Sequence, residues 1–220
     1  MTGAELKALF NEYCDETDET FLTSANVTTY LKIGYREFRN FINQHDPFAY
    51  ATTADITPGA VSEYDLSAAA NAVRLLGSDR TQDGMSRLLK IGAVDGSDST
   101  KINWYLQGVQ SRQALQDNES SYFLQGSTVF FSNDLASNLV LRFFYVPMSD
   151  LNVAATFIDD FEEWHDIIAM MAYKHYAIRD AADNVVLVNA LNARLAQFAE
   201  YLQAGRVVEM NNFVSYVDDN

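Results

Sequence analysis

Between Thr156 and Gln203 the apolar residues fall into two successive stripes at helical spacing, and a helix pair of that kind must bury both stripes against something. In the first, Trp164, Ile167, Ile168, Met171, Ala172 and Ile178 share one face. Asp159, Asp160, Glu162 and Glu163 crowd its opening turn, where negative charge complements the helix dipole and side-chain oxygens cap free N–H groups. Short polar residues over 180–184 break the pattern. Leu187, Leu191, Leu195, Phe198 and Leu202 then make the second stripe, with Gly205 read as its C-cap. So short a link predicts an antiparallel hairpin.

The N-terminal quarter offers the surface that hairpin needs. Thr2-Gly3-Ala4-Glu5 has the spacing of a capping box, and Leu6, Leu9, Phe10 and Tyr13 line the short helix behind it. A longer helix is predicted over Ser24–Asn43, with Val27, Tyr30, Leu31, Phe38, Phe41 and Ile42 on one side. Lys32, Arg36 and Arg39 fall off that stripe, on a solvated side or against an acidic neighbour. Cys14, the single cysteine, reads as a small semi-buried filler; alone, it excludes an intramolecular disulfide and a multi-cysteine metal site.

From His45 to about Asp160 the helical period disappears. Runs rich in β-branched and aromatic residues replace it: Val73–Leu76, Ser86–Ile91, Ile102–Leu106, Tyr122–Leu124, Thr128–Ser132 and Leu139–Val146. Gln125-Gly126-Ser127 and the stretch Asn133–Asn138 read as tight hairpins, and 92–100 and 107–121 as long polar loops. The expected fold is α+β: a helical bundle, made of an N-terminal helix pair (1–45) and a C-terminal helical hairpin (156–204), with a small antiparallel β-sheet subdomain inserted over 46–155. Residues 205–220 are expected as an extended C-terminal arm. Arg206, Val207, Val208, Met210, Phe213, Val214, Tyr216 and Val217 make that segment too apolar for a free terminus, so it either docks on a neighbour or folds back on its own subunit.

Signatures of catalysis are incomplete. Glu162 and His165 stand one helical turn apart, as in di-metal helical proteins, but His175 has Ala172 where a second copy needs glutamate. His165 is therefore read as a helix-surface residue facing Glu162 or a neighbouring subunit, and His175 as a half-buried residue near Arg179. Asp95-Gly96-Ser97-Asp98 lacks the terminal glutamate of a calcium loop and reads as a hairpin turn. The glycines of 92–100 have no following lysine of a phosphate loop, and no Gly-x-Ser-x-Gly elbow occurs. No catalytic, cofactor-binding or metal residue is assigned, and no enzyme is expected. The net charge of −15 argues against a surface that grips phosphates and fits one that repels DNA or docks on a basic protein patch. With no signal-like leader and no apolar run long enough to span a membrane, the chain is expected to be made in the cytoplasm.

The layout resembles the head-to-tail adaptor (connector) proteins of tailed bacteriophages. Leu22–Phe41, including Tyr30-Leu31-Lys32-Ile33-Gly34-Tyr35-Arg36-Glu37-Phe38, is similar to the family's second helix, and the run Tyr122–Phe131 to its paired strands. Leu139–Leu151, with Tyr145-Val146-Pro147, is similar to the strand leading back, and Asp159–Tyr176, with Trp164, to the opening of the C-terminal helix. The resemblance implies a structural virion protein of the neck between capsid and tail. Its partners would be its own copies in a ring of about twelve, the portal protein, and a tail or neck protein, with DNA passing through unbound. It further implies that the C-terminal segment reaches the portal. A tail-completion or stopper protein is the alternative in the same setting. Outside it stands a ligand-binding module using Trp104-Tyr105 and Tyr122-Phe123 of the β insert.

Overall fold

The structure is a computed structural model; it describes residues 1–15, 22–66, 74–75, 84–117, 120–132, 139–147, 151–156, 158–180 and 185–214. The chain divides into two compact units: Met1–Ala49 with Asp150–Asn220, and Tyr50–Ser149.

The first unit is helical. Helix α1 spans Gly3–Tyr13 and α2 Ser24–His45. A 3-10 turn at Glu162–Trp164 leads into α4, Asp166–Asp180, and α5 runs from Val185 to Val214. The capping box forms as the spacing predicts: the Glu5 N–H donates to Thr2 Oγ1 at 3.2 Å, and the Thr2 N–H to Glu5 Oε2 at 2.7 Å. Hydrogen bonds from Thr2 to the carboxylate, the backbone N–H first and the side chain second, hold the Glu5 carboxyl below its usual range. Thr23 caps α2 through the Asn26 N–H. Helix α4 is the centre of the unit; Ile167, Ile168, Ala169, Met171, Ala172 and Ala177 are all buried. Gly34 of α2 lies against it so closely that a Cβ there would stand 2.5 Å from the Ile168 carbonyl oxygen and 2.9 Å from the Ala172 nitrogen. The absence of a side chain is thus what lets the two helices cross.

The second unit is a mixed sheet. Its strands are β1 (Thr52–Ile56), β2 (Glu63–Asp65), β3 (Arg74–Leu75), β4 (Gly84–Val94), β5 (Ile102–Gly108), β6 (Ser121–Gln125), β7 (Thr128–Phe131) and β8 (Leu141–Pro147). Seven of them follow the order β1-β8-β4-β5-β6-β7-β2, and β3 pairs with the start of β4. Pairing is antiparallel except for β3 with β4 and β5 with β6. A parallel pair needs a crossover, and helix α3, Arg112–Asp117, lies in the one from β5 to β6. Ile56 of β1 and Leu66, just after β2, belong to opposite ends of the strand order. Yet both share one core with Ile91, Ala93, Leu106, Val129, Phe131, Leu141 and Phe143, so the sheet curls into a half-barrel around its own side chains.

This corrects the expected fold. The sheet is neither small nor antiparallel, and it, rather than a helical bundle, dominates the α+β architecture. Two strands and α3 escape a reading of the sequence for a physical reason. β1 (TTADI) and β2 (EYD) end the strand order, where polar residues are tolerated, and the polar α3 resembles a loop. The extended arm is corrected as well, since α5 stays helical as far as Val214. Gly205 sits inside it, which costs only about 1 kcal/mol relative to alanine. The hairpin at Gly126-Ser127 forms, with Gly126 at φ 59° supplying the conformation that a two-residue loop needs. The hairpin expected at 133–138 lies outside the described residues. Its flanking strands are not neighbours: β7 pairs with β6 and β2, and β8 with β1 and β4.

Candidate functional site: the C-terminal helix and its seat

At 30 residues, α5 is about 45 Å long. Among its described side chains the buried ones, Leu191, Phe198 and Leu202, form one stripe. Phe198 is the pivot. Its ring stacks on Phe38 at 5.3 Å and on Trp164 at 4.8 Å, and meets Phe41 at 5.9 Å and Phe161 at 5.7 Å. Four rings from outside α5 around one buried phenylalanine give a seat with a defined rotation and register, because aromatic pairs favour particular angles as well as area.

Polar contacts fix the same register. Arg194 Nε donates to Asp166 Oδ2 at 2.8 Å, and its Nη2 donates to the Glu163 carbonyl oxygen at 2.8 Å. The guanidinium also lies 4.4 Å from the centre of the Trp164 ring. The Asp166 carboxylate raises the Arg194 pKa further above its already high value. Trp164 continues outward to Tyr201, whose ring is 5.6 Å away. Because Asp166 opens α4 while Arg194 lies well along α5, the two helices run antiparallel, as the short link predicts.

Beneath the seat lies a buried aspartate–histidine pair. His165 is 1% exposed, and its Nε2 stands 2.6 Å from Asp159 Oδ1. A carboxylate oxygen accepts, so Nε2 carries a proton, while Nδ1 is buried without a hydrogen-bond partner among the described residues. The same Asp159 oxygen accepts the Phe161 N–H at 3.0 Å, and the His165 ring meets Phe38 edge-on at 6.2 Å. The pair therefore folds the 159–165 segment so that Phe161 and Trp164 both reach Phe198.

This overturns the expectation for His165, which does not lie on the helix surface or face Glu162. Apolar packing around α4 draws the imidazole inward, and Asp159 satisfies its N–H. Glu162 instead receives the terminal ammonium of Met1. His175 is half-buried and pairs through Nε2 with Glu37 Oε1 at 2.6 Å, while Arg179 donates to the Tyr30 hydroxyl at 3.1 Å. Arg39 is another departure, being buried, with its guanidinium 5.9 Å from the Tyr35 ring centre. No group of three or more His, Cys, Asp or Glu among the described residues is placed to hold a metal ion. Nor is any helix among them long and apolar enough to cross a membrane.

Of the eight C-terminal residues singled out in the sequence, Arg206, Val207, Val208, Met210, Phe213 and Val214 belong to α5. Tyr216 and Val217 lie outside the described residues. The seat itself goes unread in the sequence. The available signal is Arg194, the only basic residue between Arg179 and Arg206, set inside an otherwise apolar stripe.

In the β unit, Tyr122 packs against the core and Phe123 against Phe130 at 6.3 Å, whereas Trp104 and Tyr105 are exposed. The four aromatics thus do not converge, and the concave face is filled by Leu66, Phe131 and Phe143. On the convex face Tyr105 lies against Gly92, and Lys90 Nζ sits 4.4 Å from the Tyr105 ring centre and 4.6 Å from that of Phe144. Beside them Arg142 grips Asp55 with two hydrogen bonds, at 2.6 and 2.7 Å, which hold the Asp55 carboxyl below its usual range. The β4–β5 turn is closed by Asp95 and Asp98, each accepting a backbone N–H and a hydroxyl from the residue two positions on.

No protein-family model matches this chain. No curated protein matches its sequence.

Proposed function

We propose that the protein is a structural head-to-tail adaptor of a tailed phage, assembling as a ring beneath the portal and presenting α5 to a partner. The observation that carries this reading is the reach of α5 beyond its seat. Residues up to Leu202 are seated on Phe38, Trp164 and Asp166, while the helix continues through the apolar 205–214 segment. A helix seated through Phe198 and Arg194 that runs on to Val214, with Val207, Val208, Met210 and Phe213 in its sequence, suits recognition by a groove on another protein. This replaces strand-like docking of an extended arm. The net charge of −15 suits a channel through which DNA slides without sticking. The remaining neck components, a tail-side protein and the chain's own copies, complete the set of partners.

The test is particle mass, alone and with the portal protein of the same genome, followed by electron microscopy. A symmetric ring on the portal is expected, lost when residues 206–220 are deleted although the shortened protein still melts cooperatively. A full-length protein that ignores the portal at every concentration overturns the reading.

A further inference from the structure

Besides the short β2 and β3, two five-residue strand stretches in the β unit have a partner on one side alone among the described residues. β1 hydrogen-bonds to β8 along its whole length and ends the strand order. β5 pairs with β4 over Ile102–Leu106, with a bulge that leaves Asn103 without a partner in β4, but β6 joins it only at Gln107 and Gly108. Among the described residues no other backbone hydrogen bond reaches Thr52–Ile56 or Ile102–Leu106. Each five-residue edge thus offers outward N–H and C=O groups, a template for a further strand.

Side chains mark the β5 edge as unfinished. Trp104 stands opposite Ala93, a core residue, and so belongs to the concave face; it is nevertheless 39% exposed. Tyr105, opposite Gly92, belongs to the convex face and is 51% exposed. An indole that shares a face with the core but keeps this much exposure has no covering strand beside it among the described residues.

We propose that the β5 edge takes the β1 edge of a second copy of this chain, so that the sheet continues from one subunit into the next. The two edges match in length. They also match in direction: β1, β8, β4 and β5 alternate, so a β1 added beyond β5 runs antiparallel and the alternation carries on into the copy's own β8. An antiparallel alignment centred on Ala54 and Trp104 sets a small residue against the indole, Thr53 against Tyr105 and Asp55 beside Asn103. Contacts between two different edges propagate head to tail and close into a ring when the rotation allows. The inference deepens the ring reading and rests on it for closure; the pairing itself needs no portal. Repulsion between copies of charge −15 opposes the contact, so it strengthens as salt screens that charge.

The test places Thr53→Cys and Tyr105→Cys together in a Cys14→Ser background. Within one chain these positions are three strand spacings apart, roughly 14 Å, and a disulfide reaches across only about 7 Å between Cα atoms. Any bond joining 53 to 105 is therefore intermolecular. The full-length double variant, concentrated at high salt and oxidised with glutathione disulfide, is expected to give a ladder of multimers, with the 53–105 link found by mass spectrometry. In the wild-type protein, hydrogen exchange at Thr52–Ile56 and Ile102–Leu106 is expected to slow on assembly. Oligomers without that link and with unchanged exchange overturn the edge pairing and leave the ring reading standing. Dimers from Tyr105→Cys alone overturn it in favour of two β5 edges meeting about a two-fold axis. A 53–105 ladder from a protein that forms no ring on the portal supports the pairing and overturns the adaptor. No link and no oligomer, with or without portal, overturns both.

Discussion

The helical unit and the β unit bury apolar surface in opposite ways. In the helical unit side chains from separate elements close on one another: four rings from outside α5 surround Phe198, Asp159 accepts from His165 Nε2, and Arg194 divides its donors between Asp166 and Glu163. In the β unit one face supplies the cluster of Ile91, Phe131 and Phe143, while Thr52–Ile56 and Ile102–Leu106 keep an open side among the described residues and Tyr105 lies exposed on the other face. The difference separates two jobs. A closed, aromatic helical core holds a long helix in one register, and a curled sheet with open edges is built to be added to. Variants that loosen the first should therefore cost far more stability than variants on the convex face of the second.

The largest effect is expected at the pivot. Phe198→Ala removes the ring on which Phe38, Phe161 and Trp164 converge and should cost roughly 3–5 kcal/mol, read as a lower urea midpoint. A cost below about 1 kcal/mol, the range of an exposed side chain, would break the comparison. Gly34→Ala comes next. Its methyl group would meet the Ile168 carbonyl and the Ala172 nitrogen, backbone atoms that cannot rotate away, so α2 and α4 must separate. Overpacking of this kind costs about 1–3 kcal/mol, against the gain of up to about 1 kcal/mol that alanine brings to an unobstructed helix position. Thermal melting of the variant decides the sign; a stabilised protein would mean that the helix crossing is looser than the geometry shows.

The buried pair sharpens the same contrast at a smaller scale. Asp159→Ala leaves the His165 Nε2–H and the Phe161 N–H without their acceptor in a buried site and should cost about 1–3 kcal/mol. Because the pair positions Phe161 and Trp164 against Phe198, Trp164 fluorescence should report a loosened seat as well. A Trp104→Phe background removes the only other tryptophan and isolates that signal. An unchanged Trp164 spectrum with a full loss of stability would mean that Asp159 acts on its own turn alone.

The same asymmetry explains what can be read from the sequence. Helical stripes announce themselves because Leu6, Phe10, Leu31, Phe38, Ile168, Ala172, Leu191 and Phe198 are buried at the spacing that one helix face requires. The capping box of Thr2 and Glu5 is legible for the same reason, being local. Strand partners are not local. Nothing in Thr52–Ile56 states that it pairs with Leu141–Pro147, and the parallel join of β5 to β6 spans only two residue pairs. His165 misleads because an imidazole is compatible with both surface and core, and only the fold brings Asp159 to it. At the C-terminus, Gly205 fits a helix cap and a helix interior alike. The propensity that separates those two readings is about 1 kcal/mol, too little to end a helix that the rest of Val185–Val214 sustains.

The smallest effect is expected on the convex face of the sheet, at Asp55. The Arg142 hydrogen bonds lower the folded-state pKa of this carboxyl relative to the unfolded chain. The pair therefore adds stability that is fully present above the unfolded-state pKa and is lost as pH falls through the lowered, folded-state value. Its carboxylate is partly exposed, so the contribution at neutral pH is that of a surface ion pair, about 0–1 kcal/mol, and shrinks with added salt. Asp55→Asn should thus lower stability slightly at pH 7 in low salt, and the gap between variant and wild type should close on acidification. Urea unfolding of both proteins between pH 7 and strongly acidic conditions checks the sign. A gap that widens toward acid would show that another group, and not the Asp55 carboxylate, carries the contact. A cost approaching that of Phe198→Ala would place a rigid, closed interaction on the face where the fold shows an exposed one, and the contrast between the two units would fail there.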